Sequence, residues 1–259
     1  VSLFALVSPG GSPGCTTTAL AITMTWPEPV TLAECDPAGG DILAGMFAGH
    51  LPAPRGLLDV AFEAGRGVAA MSAEASAQLA ALDSEGHRMF LAGLSDPRQA
   101  AGVAPAWLAI ARMLSSQPRD VIADCGRLDA GDGQPAGVLT EAALVAMVMR
   151  SSLRQVAAAR PRIEMLTQLL GGTERLGLLL VGDKNHGSGE ISRTLGVRVL
   201  ASLPGDAKTA AVLSDGVGRR TNLADRPLMR AAHDAGAAIA KAARDAQARD
   251  LAGVNGHAG

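Results

Sequence analysis

The hydrophobic positions of this chain fall into short apolar runs separated by longer stretches of helical composition. Ser2 to Val7 is the first apolar run and ends in Ser-Pro-Gly-Gly. Thr16 to Trp26 follows with helical composition, so residues 1–26 predict strand, glycine loop and helix. Val30 to Cys35 predicts the next strand. It stops at Asp36-Pro37-Ala38-Gly39-Gly40, whose proline and glycines let the chain reverse. Further strands are expected at Met89 to Leu94, Asp120 to Asp124, Ala142 to Met149, Leu176 to Val181 and Val197 to Leu203. Helices are expected at Ala69 to Leu82, Ala104 to Ser115 and Leu153 to Leu170, with a helix end at Ile191 to Gly196 and a long final helix at Ala224 to Leu251. The glycine-rich stretch Asp129 to Pro135 reads as a loop. Strand and helix in alternation is the rhythm of a parallel sheet covered by helices, so the fold class is α/β and residues 1–259 form one domain.

Composition narrows this picture. A chain of 259 residues suits one large α/β core, and 48% apolar content argues against disorder. No apolar run approaches the roughly 18 residues that span a bilayer. The opening VSLFALVSPGG lacks the basic flank of a signal peptide, so a cytoplasmic protein is expected. Lysine plus arginine number 23 against 25 acidic residues, a balance of -2 that argues against a general nucleic-acid binder. Alanine supplies about a fifth of the chain and aromatics only 2%, which calls for closely packed helices over an aliphatic core. From Ala240 onward Leu251 and Val254 are the only large apolar side chains. The final helix is therefore expected to be solvated or partner-facing, with no direct membrane insertion.

The chemistry-bearing residues sit where strands end. In a phosphate loop the chain leaves a buried strand and turns through glycines so that backbone N–H groups point inward. It then enters a helix whose N-terminus adds positive potential. Ser8-Pro9-Gly10-Gly11-Ser12-Pro13-Gly14-Cys15-Thr16-Thr17 has that layout. The segment resembles the deviant Walker A loop, Lys-Gly-Gly-x-Gly-Lys-Thr-Thr, of the ParA and MinD group of P-loop ATPases (SIMIBI class). Gly10 stands at the signature lysine, Ser12 at the second family glycine and Cys15 at the Walker lysine. Three further segments match in order. Glu34-Cys35-Asp36-Pro37-Ala38-Gly39-Gly40 resembles the element that follows the second strand, and DVIADCG, from Asp120 to Gly126, resembles the strand that ends in the switch aspartate. Ser202-Leu203-Pro204-Gly205-Asp206, then Val212 to Gly216, resembles the segment lying against the adenine.

The resemblance implies a three-layer sandwich around a mostly parallel sheet, with ATP and Mg²⁺ as cofactors. It places Gly10, Gly11, Ser12, Pro13, Gly14, Cys15, Thr16, Thr17, Pro204 and Asp206 around nucleotide. Thr16 and Asp124 fall at the metal, and Asp36 and Asp124 at the catalytic positions. Each has a plainer reading: Thr16 and Asp206 also suit helix caps. The cysteines Cys15, Cys35 and Cys125 each lie in one of these segments. A metal or redox site built from all three is conceivable, with the Cys15 thiol lowered at a helix N-terminus. Burial as small hydrophobes is the stronger reading for Cys35 and Cys125, because Cys35 should point away from the face that carries Asp36. Three isolated cysteines also fit a reducing compartment.

Both family lysines are missing, and the only lysines, Lys184, Lys208 and Lys241, lie outside the first 183 residues. A charge-assisted hydrogen bond is worth about 1.5–3 kcal/mol, so nucleotide affinity should fall roughly 10- to 100-fold. Arg127, Arg150 and Arg154 are the candidates to replace the charge. The expectation is a degenerate member in which ATP and Mg²⁺ bind weakly or not at all. It would act as a homodimeric scaffold or regulator with a protein partner, similar to the CpaE and TadZ branch that places pilus or secretion machinery. The alternative is an active ATPase of chromosome or plasmid partitioning that uses an arginine.

Overall fold

In a computed structural model of the chain, residues 1–10, 14–48, 56–129, 131, 133–182, 186–216 and 222–255 are described; of residues 253–255 only the backbone is. Eight strands, β1 (Leu3–Ser8), β2 (Val30–Glu34), β3 (Ala80–Ala81), β4 (Arg88–Leu91), β5 (Asp120–Arg127), β6 (Leu144–Met149), β7 (Leu176–Val181) and β8 (Val199–Leu203), form one sheet in the order β3-β4-β2-β5-β1-β6-β7-β8. All neighbours are parallel except the short β3, which pairs antiparallel with β4. The helices are α1 (Cys15–Thr25), α2 (Leu57–Phe62), α3 (Val68–Gln78), α4 (Ala100–Val103), α5 (Trp107–Ser115), α6 (Ala136–Glu141), α7 (Leu153–Leu170), α8 (Ser188–Leu195), α9 (Ala207–Ser214) and α10 (Pro227–Asn255).

The two-residue period of the central strands divides the core in two. Leu3, Ala5 and Val7 of β1, with Val121 and Ala123 of β5, pack under α2 to α8. Phe4, Leu6 and Ile122 face α1, α9 and α10 on the other side. Strands apolar on both faces must be covered on both, which makes the structure three layers deep. The carboxyl ends of β1, β2 and β5 then meet at one edge of the sheet, at the point where β1 lies between strands that follow it in the chain. In an open α/β sheet this is where ligands enter.

The final helix departs from the sequence-based expectation. Leu228, Met229, Ala232, Ala235, Ile239, Ala242, Ala243 and Ala246 recur at helical spacing and are buried against α1 and β8. Large side chains are not needed for this burial, because alanine lets the helix axis come close to its neighbours. At Gly236 a Cβ would stand 3.1 Å from the Trp26 ring, so glycine is what lets that ring approach the helix closely. Trp26 in turn donates its indole N–H to Asp120 Oδ2 at 3.0 Å and tilts against Phe4 at 5.2 Å. The outer face of α10, with Arg230, His233, Lys241 and Arg244, is exposed, and so are its turns from Gln247 to Ala252, where the helix is solvated as expected.

Boundaries shift elsewhere for local reasons. The stretch expected as a helix to Leu82 ends at Gln78, and Ala80–Ala81 pairs with β4. Strand β5 runs on past Asp124 to Arg127. Helices α2, α4, α6 and α9 are eight residues or shorter, too short for their apolar spacing to be read in the sequence.

Candidate functional site

The site grows from the ends of β1, β2 and β5. Strand β1 ends at Ser8, whose carbonyl accepts from Leu128 N–H at 2.9 Å, and the chain re-emerges at Gly14, which caps α1 in a left-handed conformation (φ 91°). Gly11, Ser12 and Pro13 lie outside the described residues. Cys15 opens α1 and is buried, and its thiol donates to the Asp124 carboxylate. The Thr16 hydroxyl donates to the same carboxylate, and Gly126 N–H donates to Asp124 Oδ1 at 3.1 Å. Asp124, 1% exposed, is thus held by three donors among the described residues, none of them charged. Burial, against these donors, still pushes its pKa above the usual carboxylate range.

Asp36 follows β2 directly and makes a short turn, accepting from Ala38 N–H at 2.8 Å. Burial, with Asp124, Asp41 and Asp129 nearby, pushes its carboxyl up to about 6. Gly126 makes room for it: with φ at 60°, a Cβ there would stand 1.7 Å from Asp36 Oδ2. The two aspartates expected at the catalytic positions therefore do converge, on opposite sides of one glycine.

The cysteines do not form a joint site. Cys35 and Cys125 lie in the core beneath α2 to α8, whereas Cys15 lies in the core on the α1 side of the sheet. Among the described residues no group of three or more His, Cys, Asp or Glu is placed to hold a metal. The expected lowering of the Cys15 thiol is overturned: burial, and after it the adjacent Asp124, pushes it well above its ordinary value. A helix N-terminus favours the thiolate, but burial and the neighbouring carboxylate outweigh it here.

Beside the acidic cluster runs a cleft of about 390 Å³ lined by Gly14, Thr17, Thr18, Arg150, Pro204 and Asp206, among others. It brings the residues expected at the base, Pro204 and Asp206, to the N-terminus of α1. Asp206 also caps α9, accepting from Thr209 N–H at 3.1 Å and from the Thr209 hydroxyl at 2.6 Å, so its carboxylate is engaged within the chain. Of the three arginines, Arg150 at the end of β6 lines this cleft. Arg127 is turned to Asp129, at 2.8 Å, and Arg154 is exposed on α7.

For a Mg²⁺–nucleotide complex the described residues supply room for a base and ribose, but no cation at the phosphate end. The cleft has the volume for a base and ribose, and the first turn of α1 faces it. At the phosphate end the described groups are Cys15, Thr16, Asp36 and Asp124. Two of these are carboxylates and none is a cation, so a polyphosphate would meet like charge there.

Glu34 and Gly126 lie inside the quoted segments without a role assigned to them there, and Thr18 lies just past the glycine loop. Glu34 is 3% exposed, and its carboxylate accepts from Ile42 N–H at 2.9 Å and Gly93 N–H at 3.0 Å, tying the loop after β2 to the end of β4. An acid closing the apolar run Val-Thr-Leu-Ala-Glu was the available signal, and so was a glycine two residues past Asp124.

No protein-family model matches the sequence, and no curated protein matches it closely enough to count as a relative. Solved structures do match in shape. The class they define is the ParA and MinD type of P-loop fold. A ParA family ATPase from Chlorobium tepidum superposes with a TM-score of 0.68 at 15% identity, covering 91% of this chain and 98% of that one. The septum site-determining protein MinD from Pyrococcus horikoshii, solved with Mg-ADP, gives 0.68 at 14% identity over 91% and 94%. A putative plasmid partition protein from Borrelia burgdorferi, bound to AMPPNP, gives 0.69 at 10% identity over 93% and 98%. At these identities the likeness establishes the fold, an eight-stranded mostly parallel sheet between helical layers, and nothing finer. No helix among the described residues is long and apolar enough to cross a membrane.

Proposed function

We propose that this chain is a degenerate ParA/MinD-type protein, in which the nucleotide fold is kept as a scaffold while ATP binding is weak or absent and hydrolysis stays at background. The observation that supports this most directly is the environment of Cys15. At the position where the resembled family has its Walker lysine, a neutral thiol is buried against Asp124, and no cation enters the described part of the cluster. A lysine there would neutralise the carboxylates and the phosphates together; a thiol does neither. In this reading the chain works as a homodimer that recognises a protein partner and positions cellular machinery. Pilus or secretion assembly of the Tad and CpaE kind is the favoured setting, since degenerate loops are familiar in that branch.

Titration calorimetry with ATP and Mg²⁺ tests the reading. Binding no tighter than about 10–100 µM, or none, is expected; sub-micromolar affinity would overturn it. A second reading is an active ATPase of chromosome or plasmid partitioning. It draws support from Arg150, which lines the cleft with Gly14 and could bring a charge to the phosphates. Turnover that disappears in both Arg150→Ala and Asp36→Ala would establish that reading in place of the first.

A further inference from the structure

Helix α7 carries two apolar stripes on opposite sides. The inner one, Ala159, Ile163 and Leu166, is buried in the core under the sheet. The outer one steps every four residues through Leu153, Ala157, Pro161, Met165 and Leu169, and all five are exposed, Leu153 by 71% and Met165 and Leu169 each by 37%. One apolar stripe suffices to seat a surface helix on its core, so a second continuous row on the outer side is surface available for a contact. Pro161 strengthens the point. In the exposed interior of a helix, proline costs about 3 kcal/mol and leaves the Ala157 carbonyl without its helical N–H donor.

Size and charge along this row are complementary to a second copy of the same helix. A row of residues at i, i+4, i+8 is the ridge by which helices pack at about −50°. If two copies of α7 cross antiparallel with Pro161 facing Pro161, Ala157 of each copy lies opposite Met165 of the other. The small side chain then leaves the hole that the large one fills. The flanking charges obey the same symmetry. Arg160 falls beside the other copy's Glu164, and Arg154 faces the other copy's Gln168. Arg154, Arg160 and Glu164 are all exposed, and none has an ion-pair partner among the described residues. We infer that the outer ridge of α7 is a two-fold self-association surface, on which a second copy of this chain docks through Ala157, Pro161 and Met165 with reciprocal Arg160–Glu164 pairs at the rim. It rests on α7 alone, not on the loops or the nucleotide.

Disulfide trapping tests this contact and no other. The native cysteines are at most 7% exposed and stay out of the reaction, while a two-fold axis at residue 161 brings Pro161→Cys against its own copy. Under a mild copper–phenanthroline oxidant, most of the Pro161→Cys protein is expected to become covalent dimer. Adding Ala157→Glu, which sets a long charged side chain where the other copy's Met165 would pack, should lower the yield at least about tenfold. Arg160→Glu should weaken trapping about fivefold, and Arg160→Glu with Glu164→Arg should restore it. These positions are exposed, so circular dichroism should match the parent throughout. A Pro161→Cys chain that stays uncrosslinked, or trapping that is indifferent to Ala157→Glu, overturns the inference. A dimer seen by light scattering that survives Ala157→Glu would assign self-association to another face, such as the loops, and equally overturns it.

Discussion

The carboxylate of Asp36 occupies the space that a side chain on Gly126 would fill, with a Cβ there coming within 1.7 Å of Asp36 Oδ2. Because Gly126 N–H also donates to Asp124 at 3.1 Å, this one glycine sets the separation of the two acids. Gly126→Ala should therefore both strain the backbone at φ 60° and expel Asp36. We expect a loss of about 2–4 kcal/mol in urea unfolding. Asp36→Ala removes most of the clash, so the double variant should be more stable than the sum of the two singles. Simple additivity would show that Asp36 moves away at no cost.

Glu34 should make stability depend on pH in an unusual direction. Burial raises its carboxyl from the ordinary 4.5 to about 7, outweighing the backbone N–H groups that favour the charged form. The folded state then holds the proton more tightly than the unfolded chain. The stabilisation is full below about pH 4.5 and is lost as pH rises through 7, to a total on the order of 3 kcal/mol. Glu34→Gln cannot titrate, so urea midpoints measured between pH 5 and 8 should show this fall in the parent and a flatter curve in the variant.

Restoring a cation tests how the site lost its affinity. Cys15→Lys would bring an ammonium to Asp124 in place of a thiol. If the loop still closes around phosphate, ATP affinity should rise roughly 10- to 100-fold in calorimetry. No gain would mean that the backbone of the loop, and not only its charge, has changed.

The docking of α10 depends on a polar anchor as well as on alanines. Asp120 accepts from Trp26 Nε1 at 3.0 Å and from Ser2 N–H at 2.8 Å, which joins the end of α1 to the start of β1. Asp120→Ala should leave both donors unpaired and cost about 2–3 kcal/mol. Gly236→Leu, which drives α10 off the Trp26 ring, should cost at least as much by thermal unfolding and alter the tryptophan fluorescence.

Much of this architecture can be read along the chain, because the information is local. The apolar runs at Val30 and Leu176 begin and end near turn-forming residues, and α7 spans Leu153–Leu170 as its composition predicts. The Gly-Pro-rich loop before Cys15 and the acids Asp36 and Asp124 at strand ends are likewise visible, since each sits where an apolar run stops. What sequence alone could not decide depends on residues brought from afar. Burial of the Cys15 thiol beside Asp124 reverses the effect of its helix N-terminus, a result that needs both sides of the sheet in place. The alanine stripe of α10 reads as solvated until Trp26 and β8 are known to lie against it. Separation of Cys15 from Cys35 and Cys125 follows from strand alternation together with the placement of α1. Spacing and turn chemistry act between near neighbours and so are written in the sequence; desolvation and close approach act between surfaces, and only the folded chain determines them.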